Sequence, residues 1–124
     1  MNDAAGCRIV LVDDVLEVRY LLRLLLANVR LCQVVAEAEN GRQAVELVEK
    51  LRPELVVLDV VMPVMDGIEA LKRIRELSPE TKVIIYSSSP EARKEALAAG
   101  AFRYLDKGSD PQRLVEVVRE AILG

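Results

Sequence analysis

A chain of 124 residues, 52 % apolar and 30 % charged, is one domain's worth of polypeptide with a substantial core and no room for a second catalytic domain. Its net charge of −3, with both signs spread along the chain, argues against nucleic-acid binding through bulk positive charge and against a polybasic membrane anchor. The lack of any histidine excludes Ser-His and Cys-His catalytic pairs and His-ligated zinc. With three Tyr, one Phe and no Trp, the core must be aliphatic.

The first segment, Met1 to Gly6, is short and polar, and the apolar run after it ends in two aspartates, so no signal peptide is read. No apolar stretch approaches the ~20 residues of a membrane span. Cys7 and Cys32 form neither a CxxC motif nor a disulfide framework, and a reduced, cytoplasmic chain is expected. They sit just before two adjacent predicted strands, and free thiols are expected there.

In chain order, short β-branched runs alternate with longer segments of helical period. Strands are predicted at 8–12 (RIVLV), 33–38 (QVVAEA), 55–58 (LVVL), 82–86 (KVIIY) and 102–105 (FRYL); helices are predicted at 15–29, 40–51, 66–77, 91–99 and 111–123. Five strand–helix repeats predict an α/β fold, a parallel sheet covered by helices on both faces. The continuous apolarity of RIVLV, LVVL and KVIIY fits strands buried on both sides. Asn40-Gly41 opens the second helix and Pro53 closes it. Gly100 ends the fourth, and Ser109-Asp110-Pro111 offers a cap for the fifth. On the first helix, Val18, Leu21, Leu22, Leu25, Leu26 and Val29 share a core-facing side. Leu16, Tyr20 and Leu24, at i, i+4 and i+8, form a second apolar stripe on the opposite side, which suits a partner helix or burial under a neighbouring loop.

Ligand sites of parallel α/β sheets lie at the carboxyl ends of strands. Here those ends carry Asp13-Asp14, Asp59, Ser87 and, one residue beyond Asp106, Lys107. Alone, each fits a turn, a cap or a solvated side chain. Together they bring three carboxylates, a hydroxyl and an ammonium to one edge. Mutual repulsion of the carboxylates raises their pKa values and is relieved by a hard divalent cation, for which Mg²⁺ suits a few oxygens plus waters better than Ca²⁺ does. One oxygen of Asp59 can then bind metal while the other acts as a nucleophile towards phosphorus, with Lys107 and Ser87 facing the phosphoryl oxygens.

The ordered set Asp13-Asp14 after RIVLV, Asp59 followed by Val60-Val61-Met62-Pro63, Asp66-Gly67, Ser87 after KVIIY, and Gly100-Ala101 through Tyr104-Leu105-Asp106-Lys107 resembles the CheY-like receiver domain of two-component response regulators. The resemblance covers residues 8–123. It implies a doubly wound, flavodoxin-like (βα)5 fold with a five-stranded parallel sheet in the order 2-1-3-4-5. It implies Asp59 as phosphoacceptor, with Asp14, Asp59 and the Val61 carbonyl as Mg²⁺ ligands (Mn²⁺ able to substitute) and Asp13 acting through water. Lys107 would pair with the phosphoryl group, and Ser87 and Tyr104 would form the switch. The implied partners are a sensor histidine kinase or histidine phosphotransfer protein, an output domain or effector, and a phosphorylation-dependent second copy; direct nucleic-acid or membrane binding by this domain is not implied.

Gly108 replaces the proline common after the lysine, as in receivers of the NarL/LuxR type, so a cis peptide there is not expected. Ser87-Ser88 replaces a common Thr-Ala. Val61 offers attacking water no hydrogen bond, so slow dephosphorylation is expected. A phosphatase or dehalogenase of similar topology would need a second aspartate two residues after Asp59, where Val61 stands, so turnover of an external substrate is not expected. The glycines form no GxG and no GK[ST] exists, which argues against nucleotide and flavin binding. A phosphate-independent interaction module, a single-domain regulator and the receiver piece of a helix-turn-helix transcription factor remain open on sequence alone.

Overall fold

Apolar runs too short for helices pair laterally, and the period-3.6 segments between them cover the two faces that result. The computed structural model describes residues 6–123; the polar start read above as no signal peptide lies outside the described residues apart from Gly6. Strands β1 (Cys7–Val12), β2 (Cys32–Ala38), β3 (Leu55–Leu58), β4 (Lys82–Ser87) and β5 (Arg103–Asp106) form one sheet. Its order is β2-β1-β3-β4-β5, with every pairing parallel. Helices α1 (Leu16–Leu26), α2 (Gly41–Leu51), α3 (Gly67–Leu77), α4 (Arg93–Ala98) and α5 (Gln112–Leu123) alternate with the strands. This is the doubly wound α/β fold expected of the sequence, with the strand order implied by the resemblance.

Alternating side chains of the central strands feed two separate cores, as a two-residue period requires. Val10, Val12, Val56, Leu58, Val83 and Ile85 pack against Ala44 and Val48 of α2, Leu71 and Ile74 of α3, and Ala96 of α4. Ile9, Leu11, Val57 and Ile84 pack on the other face against Leu22 and Leu26 of α1 and Leu114, Val117 and Val118 of α5. Each of the larger buried aliphatics contributes about 1.5–3 kcal/mol of transfer free energy. The edge strands β2 and β5 are only partly buried.

Several boundaries differ from expectation for local reasons. Helix α1 ends at Leu26 instead of 29, because Val29 N–H bonds back to the Leu26 carbonyl at 3.0 Å and Leu31 takes a positive φ of 74°; Val29 is nevertheless buried. Leu21, expected on the core side, is 42 % exposed, since the helix needs only a narrow stripe to seal against the sheet. The fourth helix is a 3-10 turn over Pro90–Ala92 followed by six helical residues. Strand β5 begins one residue late, with Phe102 N–H donating to the Val83 carbonyl at 2.7 Å. Cys7 and Cys32 are the first residues of their strands, not residues before them.

Capping matches the residue types. Asn40 Oδ1 accepts from Gln43 N–H at 2.9 Å, Asp66 Oδ1 from Glu69 N–H at 2.9 Å, and Asp110 Oδ1 from Gln112 N–H at 2.9 Å. Gly100 follows α4 with φ of 101°, a left-handed conformation that closes the helix. At the start of α3, Gly67 N–H donates to the Val60 carbonyl at 2.7 Å. A Cβ there would stand 1.9 Å from the Asp59 carbonyl oxygen and 2.7 Å from Val60 Cα, so only glycine lets this helix press on the backbone that carries Asp59. Gly67→Ala is expected to lower unfolding stability by about 2–3 kcal/mol in urea titration, with an NMR shift change centred on Asp59–Val60.

Candidate functional site

The parallel hydrogen-bond ladders continue past the strand ends and align the acidic residues. Asp13 N–H donates to the Ala38 carbonyl at 3.1 Å, and Asp59 N–H to the Val12 carbonyl at 3.0 Å. Beyond β5, Lys107 N–H donates to the Ser87 carbonyl at 3.0 Å. The order of the sheet thus places the ends of β1 and β3 side by side and brings the β5 loop over them. Asp13 and Asp59 are buried at 1 % and 6 % exposure, while Asp14 is exposed.

The Lys107 ammonium spans both buried carboxylates, 2.7 Å from Asp13 Oδ2 and 3.3 Å from Asp59 Oδ2. The remaining oxygens are held by backbone. Asp13 Oδ1 accepts from Val15 N–H at 2.9 Å, and Asp59 Oδ1 accepts from Val60 N–H at 2.7 Å. The former bond starts α1, so Asp13, and not Asp14, performs the local capping that an Asp-Asp pair suggests; the residue at the cap position is Val15, whose side chain caps nothing. Arg19 also donates to the Asp13 carbonyl at 2.6 Å while pairing with Glu37 at 2.9 Å. Arg19 was not singled out in the sequence; its only signal there is that it lies six residues after Asp13, in the first turn of α1.

Two buried carboxylates against one ammonium leave a charge imbalance. Burial pushes the Asp59 carboxyl above its ordinary value; the Lys107 charge opposes this and the Asp13 charge adds to it. Burial pulls the Lys107 ammonium down, but its bonds to Asp13 and the charges of both aspartates outweigh that, and its pKa is raised. Carboxylate oxygens of Asp13, Asp14 and Asp59 all lie within 4.8 Å of one another. An all-oxygen, net-negative donor set of this kind fits a hard divalent cation such as Mg²⁺.

Ser87 ends β4 and is fully buried. Its Oγ accepts from Ser89 N–H at 3.1 Å, so the hydroxyl is engaged within its own loop and not with the carboxylates. The Tyr104 hydroxyl donates to the Ser89 carbonyl at 2.5 Å, and its ring packs against the core beneath α2–α4. Ser89 therefore joins the two residues predicted as a switch. Val61, on the β3–α3 loop, is 65 % exposed. Leu16, Tyr20 and Leu24 are 64, 55 and 52 % exposed, so this stripe is free of any covering loop among the described residues.

Comparison with known proteins decides between the acidic-site folds. The model of the response regulator receiver domain matches residues 9–119. The chain belongs to that family. The receiver is 36 % identical over 117 residues to the chemotaxis protein CheY of Thermotoga maritima, covering 93 % of this chain and 97 % of that protein. It is 36 % identical to the nitrate/nitrite response regulator NarL of Escherichia coli, covering 100 % of this chain and 58 % of that protein. The signal receiver domain of NarL from Mycobacterium tuberculosis superposes with a TM-score of 0.88 at 30 % identity, covering 96 % of this chain and 98 % of that one. The receiver thus spans nearly the whole length of one kind of relative and little more than half of another. No helix among the described residues is long and apolar enough to cross a membrane.

The raised Asp59 carboxyl has a stability consequence. Its folded-state pKa lies above its unfolded value, so its contribution is fully present below the unfolded pKa and is lost as pH rises through the folded one. Asp59→Asn removes that loss and leaves Lys107 paired with Asp13. In chelator-treated buffer the variant is expected to be more stable than wild type at pH 7, with the gap closing towards pH 3, by urea unfolding. Equal stabilities at pH 7 would contradict the burial penalty.

Proposed function

We propose that this receiver, spanning residues 8–123, accepts a phosphoryl group on Asp59 from a phosphohistidine donor, a sensor histidine kinase or histidine phosphotransfer protein, and passes the state on to an output domain or effector. The observation that carries the reading is a buried Asp59 carboxylate bonded to Lys107 at 3.3 Å within an acidic cluster at the strand ends. Asp59 Oδ2 is the nucleophile towards phosphorus, and Val60 N–H keeps Oδ1 oriented.

Asp14, Asp59 and the Val61 carbonyl would hold Mg²⁺, or Mn²⁺ in its place, with Asp13 acting through water; the ion supplies neutralisation of charge on the transferring phosphoryl oxygens. Lys107 moves from carboxylate to phosphoryl oxygen, a charge-assisted bond that keeps the added anion paired. Ser87 releases Ser89 N–H and turns its hydroxyl to the phosphoryl group. Because Tyr104 is bonded to Ser89, the same loop movement frees its ring to turn inward. The face formed by α4, β5 and α5 changes accordingly, where a groove of about 660 Å³ is lined by Pro90, Arg93, Leu97, Tyr104 and Arg113 among others. That face is the output surface and the one for phosphorylation-dependent pairing with a second copy. Val61 gives water no hydrogen bond at the phosphoryl, which makes hydrolysis slow. The domain turns over no external substrate, and it acts in the cytoplasm. By likeness to NarL, transcription is the output class, through a DNA-binding part outside this domain.

The Leu16, Tyr20 and Leu24 stripe beside the acidic edge docks the phosphodonor's helices. Intact-protein mass after incubation with acetyl phosphate is expected to show one phosphoryl adduct that is lost in Asp59→Asn and on chelation. Leu16→Ser is expected to keep this adduct while slowing transfer from a histidine phosphotransfer protein about tenfold, a loss of ~1.4 kcal/mol of docking. An adduct that survives Asp59→Asn would overturn the assignment of the acceptor.

A further inference from the structure

At the end of the sheet away from the acidic cluster, Cys7 and Cys32 open neighbouring strands and are direct register partners. Both are free thiols, Cys7 buried and Cys32 half-buried. Both side chains join the same core beneath α1 and α5, so they leave the sheet on one face. Neighbouring strands run about 4.8 Å apart, inside the Cα separation of about 4.4–6.8 Å that a disulfide spans. Nothing in the receiver chemistry uses this pair.

We infer that Cys7 and Cys32 form an intramolecular dithiol/disulfide site for low-molecular-weight disulfides such as oxidised glutathione. Cys32 is the entry point. It is the more exposed thiol; burial raises its pKa, and the Arg119 charge on α5 opposes that rise. Cys7 is pushed up to about 12, first by burial and then by the Cys32 charge, so it waits as the neutral partner. A pocket of about 190 Å³ between Leu31, Glu54 and Ile122 reaches the Cys7 side.

The step balances. Cys32 loses its proton to solvent and its sulfur attacks one sulfur of oxidised glutathione. A mixed disulfide forms, and a glutathione thiolate leaves and takes up a proton. Cys7, deprotonated in turn, attacks Cys32 Sγ; the protein disulfide forms and a second glutathione leaves. Two protein thiols are oxidised and one glutathione disulfide is reduced. The bridge closes a loop around the whole of α1, which carries the Leu16, Tyr20 and Leu24 stripe. It does so at the far end of β1, about 20 Å from Asp13.

The test uses the full chain equilibrated with defined ratios of reduced and oxidised glutathione, folded and in urea. The expected product is a monomer two hydrogens lighter, inert to iodoacetamide and restored by dithiothreitol. After trypsin, peptide 1–8 should be joined to peptide 31–42. The bridge should be favoured about tenfold or more in the folded chain over the unfolded one. Cys7→Ala, checked for folding by circular dichroism, should instead keep a stable glutathione adduct on Cys32. A persistent adduct on wild-type Cys32, a disulfide-linked dimer, two unreacted thiols, or equal folded and unfolded equilibria would each overturn the inference. Acetyl phosphate labelling of Asp59, run in parallel, reads the phosphoacceptor reading independently.

Discussion

Two carboxylates taken out of water against a single ammonium govern this molecule. Asp13 and Asp59 are forced together because the ladders of β1, β2 and β3 run on past their strand ends, and parallel strand order leaves them no other place. Lys107 can be close to both only because its own N–H is tied to the Ser87 carbonyl, which holds the β5 loop over the cluster. The arrangement costs folding free energy at neutral pH, and a structural salt bridge would be better served by one acid than by two. An under-compensated anionic pocket is instead a site suited to added cationic charge.

The same shortage of partners connects the site to the surface. Ser87 has no bond to the carboxylates and its Oγ accepts from Ser89 N–H, while the Ser89 carbonyl in turn accepts from the Tyr104 hydroxyl. The chain of bonds is short, uses one loop, and ends on a ring that is half-buried at the edge of the groove beside α4 and α5. Under the phosphoacceptor reading proposed above, phosphoryl oxygens at Asp59 would draw the Ser87 hydroxyl, and a charge event at the strand ends would be read as a packing event at β5. Helix α3 contributes rigidity to the arrangement, since Gly67 lets it rest on the Asp59 backbone itself.

Much of this was legible in the residues. The runs RIVLV, LVVL and KVIIY are central strands because nothing polar interrupts them, and the caps at Asn40 and Asp110 are set by side chains that act within three residues. The acidic cluster was legible because strand ends of a parallel sheet converge. Strand order was not available from periodicity, which carries no information on neighbours; it came from resemblance to a family. The early end of α1 is local, set by the Val29 to Leu26 bond and the positive φ of Leu31; the other misses reflect tertiary contacts that spacing does not encode. Leu21 has the right spacing for the core of α1, yet the sheet accepts only part of that face, while Val29 is buried although it lies beyond the end of the helix. Arg19 could not be found by motif, because its role is a bond to a main-chain carbonyl. The lateral pairing of Cys7 with Cys32 depends on register, which sequence spacing leaves unspecified.

Helix α1 shows the two demands on one element most plainly. One side seals the core through Leu22 and Leu26, and the other leaves Leu16, Tyr20 and Leu24 in solvent next to the acidic edge, an arrangement that costs solubility and is tolerable where a partner covers it. What governs the site, however, is the charge imbalance of Asp13, Asp59 and Lys107. Thermal unfolding of chelator-treated protein, titrated with Mg²⁺ at pH 7 for wild type and Asp59→Asn, tests it most directly. The account predicts a saturable rise of about 5 °C or more for wild type and a smaller one for the variant, so that the variant's initial advantage disappears. A wild-type midpoint that ignores Mg²⁺, or an equal rise in both proteins, would contradict it.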